Sequence, residues 1–321
     1  MRRRQFITLL GGAAMCPFGA QAQQTDRVWR IGVLVAEPWP EIEGLHDGLR
    51  ELGYHEGENL LLEYRFANSD AGRFPELAAE LIKIPVDVIV TWGTPATLAA
   101  IKATNSVPII MSAGDPVGAG LVSSLARPGA NVTGFSSQTA GREEKRLELL
   151  KDLLPNLSRV VVLSNSTNPY SVVAVQSARR GAAALNIALD VADASSVANL
   201  DTEFQAAIRK RPDAALVIAD PFLAGQRALI AELMLEHRLP SIYAYHEHVV
   251  AGGLMAYMTA YYDIFRREAG VIDKIFKGAK PGDLPVESAT RFELAINLKT
   301  AKALGLNVPV SLLERADRVI E

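Results

Sequence analysis

The chain has 321 residues, and a typical domain holds about 100 to 150, so two compact units are expected in place of one small core. Hydrophobic residues make up 49% and charged residues 21%, with 24 glycines and 17 prolines, which excludes a mainly disordered, collagen-like or low-complexity chain. The formal charge of −3 becomes 30 − 36 = −6 when Arg2, Arg3 and Arg4 are left out, so net charge gives no pull toward nucleic acid or anionic lipid.

The first element is an address. Arg2-Arg3-Arg4 precede an apolar stretch from Phe6 to Phe18, too short for a hydrocarbon core of ~30 Å, and Ala20-Gln21-Ala22 follows as a small-residue cleavage pattern. Residues 1–22 therefore read as a signal peptide removed after Ala22, and Arg3-Arg4-Gln5-Phe6-Ile7 fits a twin-arginine route as well as Sec. Cys16 is the only cysteine, and Ala13-Ala14-Met15 before it makes a poor lipobox, so it is expected to leave with the signal. The mature chain then has neither disulfides nor thiolate metal ligands. It is expected to be soluble and periplasmic, working without ATP or NADH.

Along the body, short apolar runs recur as buried strands at Arg30–Val35, Leu60–Arg65, Val86–Thr91, Pro108–Ser112 and Val132–Ser136. Helical patterns at Glu41–Leu52, Phe74–Ile84 and Pro95–Thr104 lie between them. Strands apolar throughout belong in a parallel sheet covered on both faces, so this half reads as doubly wound α/β. Gly134–Gly141 interrupts the periodicity and reads as a crossing between lobes. The charged helix start Arg142–Arg146 reads as a solvated face of mixed sign.

The second half repeats the rhythm with strands at Arg159–Ser164, Ala188–Ala192, Ala214–Ala219, Ser241–Ala244 and Gly253–Met258. Its helices fall near Tyr170–Leu185, Leu200–Lys210 and Leu223–His237. A helix at Tyr262–Lys277, a turn at Gly278–Pro285, a further extended run and a helix-rich tail from Leu298 close the chain. The strand, loop and proline of Val86 to Pro95 parallel those of Asp213 to Pro221; Val107-Pro108-Ile109-Ile110 parallels Leu239-Pro240-Ser241-Ile242, and Val117–Leu121 parallels Val250–Leu254. Such agreement predicts two lobes of one topology with a cleft between them. The expected partition is 27–137 plus 262–287 for the first lobe and 138–261 plus 288–321 for the second.

Motifs for chemistry are sparse. Gly118-Ala119-Gly120 lacks the third glycine of a dinucleotide fingerprint, and neither a phosphate-binding loop nor a G-x-S-x-G elbow occurs. His246 and His248 could face one side of an extended segment, but two ligands do not make a site, so no metal and no cofactor are expected. Polar residues follow the strand ends instead: Thr94, Asp115, Ser136, Asn165, Thr167, Asn168, Asp220 and Tyr243. In parallel α/β sheets ligands bind at that edge, and these groups suit a zwitterionic small molecule. Asp115 and Asn168 equally suit turn or cap roles before their prolines. Trp39, Trp92, Phe222, Tyr243 and Tyr245 also follow strand ends, where they could sandwich a flat group or pack the core.

The segments Gly93-Thr94-Pro95-Ala96, Asp115–Leu121, Ser124–Gly129, Asn131–Gly134, Asn168-Pro169, Asp220-Pro221, Ala251–Met255, Asp283–Val286 and Phe292–Lys302 together resemble the tryptophan/tyrosine-type group of ABC-transporter substrate-binding proteins. The resemblance covers nearly the whole mature chain. It implies a type I periplasmic-binding-protein fold with three crossings, a monomer that captures a small solute without catalysis, and an ABC permease as partner. Carried over by position, Thr94, Asp115 and Ser136 would come from the first lobe and Asn165, Asn168 and Asp220 from the second, with Asp220 as partner of an amine. The loop Ala36–Pro40 departs from the group in being shorter and more acidic. A secreted enzyme using Asp115 and Asp220 as acid and base, or a sensor module, would use the same cleft.

Overall fold

The computed structural model describes residues 27–138 and 141–321, so the expected signal peptide lies outside the described residues. Ten strands form where the apolar runs predict them: β1 (Trp29–Val35), β2 (Leu60–Phe66), β3 (Val88–Trp92), β4 (Ile109–Gly114), β5 (Val132–Gln138), β6 (Arg159–Ser164), β7 (Ala188–Asp193), β8 (Ala214–Val217), β9 (Ser241–Tyr243) and β10 (Met255–Thr259). Three more follow, β11 (Glu287–Ser288), β12 (Phe292–Asn297) and β13 (Arg318–Ile320). The central β3 and β8 are buried along their whole length, the signature of strands covered on both faces.

Two sheets result, one in the order β2-β1-β3-β4-β5-β11 and the other β7-β6-β8-β9-β10-β12-β13. Both open with the same 2-1-3-4-5 arrangement, so the repeated sequence rhythm is a repeated topology. Every neighbouring pair is parallel except β10 with β12. The fold is α/β with two parallel-dominated sheets, as the sequence predicts.

The chain passes between the sheets three times: after β5, between β10 and the helix Tyr261–Phe276, and between β11 and β12. That helix returns to the first sheet by packing on the helix Glu43–Glu51. A Cβ on Gly44 would fall 2.2 Å from the Tyr262 carbonyl oxygen, so only glycine permits this approach. The Thr259 hydroxyl at the end of β10 donates to the Ser137 carbonyl in β5, tying two crossings side by side.

Three local readings are corrected. The segment His246–Val250 is a short helix, not extended, and residues two apart on a helix diverge, so His246 and His248 part company. The charged helix Arg142–Leu153 is not a solvated face at its start: Arg142, Glu143 and Arg146 are buried, while Lys145 and Glu148 pair in solvent at 2.6 Å. Burial is tolerated because Glu143 takes Arg146 Nη1 on both oxygens at 2.6 Å and Arg146 Nε donates to the Tyr257 carbonyl at 2.9 Å. The tail from Leu298 is helix-rich as expected, with three residues near its end adding β13 to the sheet. Finally, the Val117–Leu121 and Val250–Leu254 match falls in the same connection of each half, yet Leu254 abuts β10 whereas Leu121 lies well before β5.

Candidate functional site

In a 2-1-3-4-5 sheet the connections after the first and third strands leave in opposite directions, opening a crevice at the strands' carboxyl ends. Here those connections are Ala36–Trp39 and Gly93-Thr94 in the first half, and Asn165–Asn168 and Ala219-Asp220 in the second. The two crevices face one another. Between them lies a gap of about 20 Å³ lined by Trp92, Thr94, Ser112, Gly114, Ser137, Asn168, Tyr170, Pro221, Tyr245 and Tyr261, among others.

The second half supplies a wall whose polar atoms are already engaged. Asp220 is 1% exposed and caps the helix Pro221–Gly225 by accepting the Leu223 N–H at 3.0 Å. Asn165 Nδ2 donates to both of its oxygens at 3.3 and 3.2 Å, and Asn168 Nδ2 to one at 2.9 Å. Asn168 Oδ1 in turn caps the helix Pro169–Ala184 by accepting the Tyr170 N–H, and the exposed Thr167 donates its hydroxyl to Asn165 Oδ1 at 2.7 Å. Burial raises the Asp220 pKa above its ordinary value, while the hydrogen bonds from Asn168, Leu223 and Asn165 pull it back down.

The first half supplies buried hydroxyls. Thr94, at the start of the helix Thr94–Ala103, is buried and its side-chain oxygen makes no hydrogen bond among the described residues, whereas Ser112, in β4, is buried against the Glu268 carboxyl. Beneath Ser112 the helix Tyr261–Phe276 buries Glu268 completely, and burial holds its carboxyl well above the usual range, eased only by Ser112.

Aromatic rings close the remaining sides. Trp92 meets Trp39 edge-on at 4.2 Å, Tyr261 at 5.2 Å and Tyr245 at 5.8 Å, while Trp39 lies 5.4 Å from Tyr245. Trp39 and Trp92 come from the first half and Tyr245 from the second, so this cluster is itself a contact between lobes. A second gap of about 10 Å³ sits among Ala36, Trp39, Trp92 and Tyr245. The halves also meet where a Cβ on Gly114 would lie 2.6 Å from the Tyr170 ring.

Among the residues singled out by sequence, Thr94 and Asn168 line the gap, with Asn165 and Asp220 directly behind and Thr167 outside as a brace. Asp115 lies apart from this group, with φ 34° and its Oδ1 accepting the Gly118 N–H at 3.0 Å as the clasp of a turn. Ser136 is buried within β5, and it is the next residue, Ser137, that reaches the gap. Tyr243 is fully buried, accepts from Ser241 Oγ at 2.8 Å and stacks on His248 at 4.6 Å, leaving Tyr245 to face the gap. Ser112, Ser137, Tyr170 and Tyr261 were not singled out. A one-residue shift along β5 accounts for Ser137, and alternation alone does not fix that register without the partner strand. Tyr245 lies two residues beyond Tyr243, past the end of β9, where no strand periodicity applies.

A family model described as ABC transporter substrate binding protein matches residues 39–320. The chain belongs to this family. It is 30% identical over 266 residues, 82% of this chain and 76% of the other, to a tyrosine-binding protein of Clostridioides difficile. Its structure is similar to a conserved domain protein of Vibrio cholerae, with a TM-score of 0.86, 30% identity and coverage of 91% of this chain and 100% of that one. It also matches an ABC domain of Streptococcus pneumoniae in complex with L-Trp, with a TM-score of 0.85, 28% identity and coverage of 91% and 100%. Against the ligand-free, open structure of a substrate binding protein from Clostridium difficile the TM-score is 0.66, at 26% identity and coverage of 91% and 99%. More distant relatives, such as a leucine binding protein of Thermotoga maritima at 16% identity, share the type I fold.

Proposed function

We propose that the protein is the periplasmic solute-binding subunit of an ABC importer, closing two lobes on a small amino acid or aromatic, carboxylate-bearing solute and handing it unchanged to a membrane permease. The lobes are 27–137 with 262–287 and 138–261 with 288–321, in keeping with the strands each sheet contains. The observation that carries this reading is the pair of facing crevices with Asn168, Thr94 and Ser112 lining one gap and Asp220 directly behind it, walled by Trp92, Tyr245 and Tyr261, with Trp39 beside a second small gap.

Such a wall suits a zwitterion with a ring: the Asp220 carboxylate for an ammonium, hydroxyl donors for a carboxylate, and aromatic faces for the side chain. Relatives that bind tyrosine and tryptophan are consistent with that chemistry. The better overlay on the tryptophan complex than on the open relative, at similar identity, supports a closed arrangement here. A gap of about 20 Å³ admits little more than a water, whereas ligand pockets run to about 300 Å³ or more, so entry of a solute requires the lobes to part. Solute contacts to both lobes would then favour the closed state over the open one. An enzyme using Asp115 with Asp220 is disfavoured because Asp115 is engaged in its own turn and does not line the gap, while Asp220 is held by Asn165, Asn168 and the Leu223 N–H.

Isothermal titration of the mature chain with the twenty amino acids tests the reading. Saturable one-to-one binding of an aromatic amino acid, recovered chemically intact, is expected. Absence of binding across the panel, or conversion of the bound compound, would overturn it.

A further inference from the structure

Beside the cleft, on its rim, Glu41 from the first half approaches His246 and Glu247 from the second. One ligand atom from each lies within 4.8 Å of the other two, and all three residues are partly buried. Glu41 sits in the single helical turn Pro40–Ile42 after β1, and the other two open the short helix His246–Val250 after β9. The trio exists only because the two lobes meet here.

Two carboxyl groups brought together either share a proton or gather a cation between them. Glu41 Oε2 is sealed from solvent, with the Glu247 carboxyl beside it and no N–H donor bonded to it among the described residues. Three arginines also border the space but pair elsewhere: Arg318 with Glu293 at 3.0 Å, Arg291 with Asp263 at 3.0 Å, and Arg227 with the Ala224 carbonyl at 3.2 Å. Open space of about 240 Å³ on one side and about 600 Å³ on the other leaves room for water to complete a coordination shell.

We propose that Glu41, His246 and Glu247 form a site for a divalent transition-metal cation of the zinc class, and that the ion bridges the lobes and favours their closed arrangement. One imidazole and two carboxylates with a fourth position open to water is a donor set that zinc accepts. Ligand atoms around tetrahedral zinc lie about 3.4 Å apart, given bonds of about 2.0 to 2.1 Å, so small side-chain rotations suffice to gather the trio. The site differs from the His246 and His248 pair suggested by spacing, because His248 turns into the core and stacks on Tyr243. An ion held from both sides stabilises whichever lobe arrangement assembles its ligands, by mass action.

The test uses zinc alone, without solute, so that it stands apart from the test of solute binding. The mature chain, stripped with chelator, is titrated with zinc chloride at pH 7.5 and followed by native mass spectrometry and small-angle X-ray scattering. One zinc per chain is expected, together with a smaller radius of gyration, and both effects should be lost in Glu41→Gln and in Glu247→Gln. Failure to bind one zinc, binding that survives Glu41→Gln, or binding with no compaction would each overturn the proposal. Circular dichroism and thermal melts of each variant establish that it is folded before its zinc result is read.

Discussion

The two walls of the cleft are built on opposite plans. In the second half the Asp220 carboxylate is held by Asn165, Asn168 and the Leu223 N–H, so its position is fixed before any solute arrives. In the first half the Thr94 hydroxyl is buried without a partner among the described residues, and Ser112 faces only the buried Glu268 carboxyl. A buried polar atom left unpaired costs about 1–3 kcal/mol, which a ligand group can recover. On the proposed reading, one wall supplies a preset carboxyl group, and the other supplies bonding capacity that is used when the lobes close.

The largest expected effect follows from breaking the preset wall. Asp220→Ala should weaken an aminated solute by about 2–4 kcal/mol in titration calorimetry. Unchanged affinity would reduce Asp220 to a helix cap and erase the contrast between walls. Next, Gly114→Ala drives a methyl toward the Tyr170 ring and should cost the closed state about 1–3 kcal/mol, read as weaker binding and a larger solute-bound radius in scattering. Full affinity in this variant would show that the walls do not need to approach so closely.

Sharper discrimination comes from the open wall. Thr94→Val should reduce solute affinity by about 0.5–1.5 kcal/mol, while the solute-free melting temperature holds or rises because an orphan hydroxyl has gone. A fall in solute-free stability instead would mean that this hydroxyl is bonded within the protein.

The smallest effect concerns pH. Burial keeps Glu268 protonated in the fold, whereas the unfolded chain ionises near the ordinary value of 4.5. The unfolded state then binds fewer protons, so stability falls as pH rises above 4.5. Glu268→Gln should remove that slope, its gain in melting temperature being larger at pH 8 than at pH 5. His248 works in the opposite window: burial lowers it to about 3, so stability falls as pH drops from 6.5 toward 3.

The sheets were legible in the sequence because strands buried on both faces are apolar throughout, as in Val88–Trp92 and Arg159–Ser164, and need no knowledge of their neighbours. The crevice residues Thr94, Asn165, Asn168 and Asp220 were legible for a related reason, since each directly follows such a run and precedes a helix. What failed was whatever depends on the partner. Whether Ser136 or Ser137, and Tyr243 or Tyr245, reaches the gap is settled by strand register and by the opposing lobe. Arg142, Glu143 and Arg146 look solvated by charge alone, and only the elements packed over that helix bury them as a matched pair. Glu41 and His246 lie 205 positions apart, and no local pattern could join them.

The strand β11 reaches the edge of the first sheet from residues Glu287–Ser288, after the chain has already built most of the second. A nascent polypeptide leaving the ribosome therefore cannot finish its earlier half until about nine-tenths of its length has been synthesised, and that half stays a substrate for chaperones throughout translation. Truncations that spare every residue of the first five strands should still yield a half-built, aggregation-prone product.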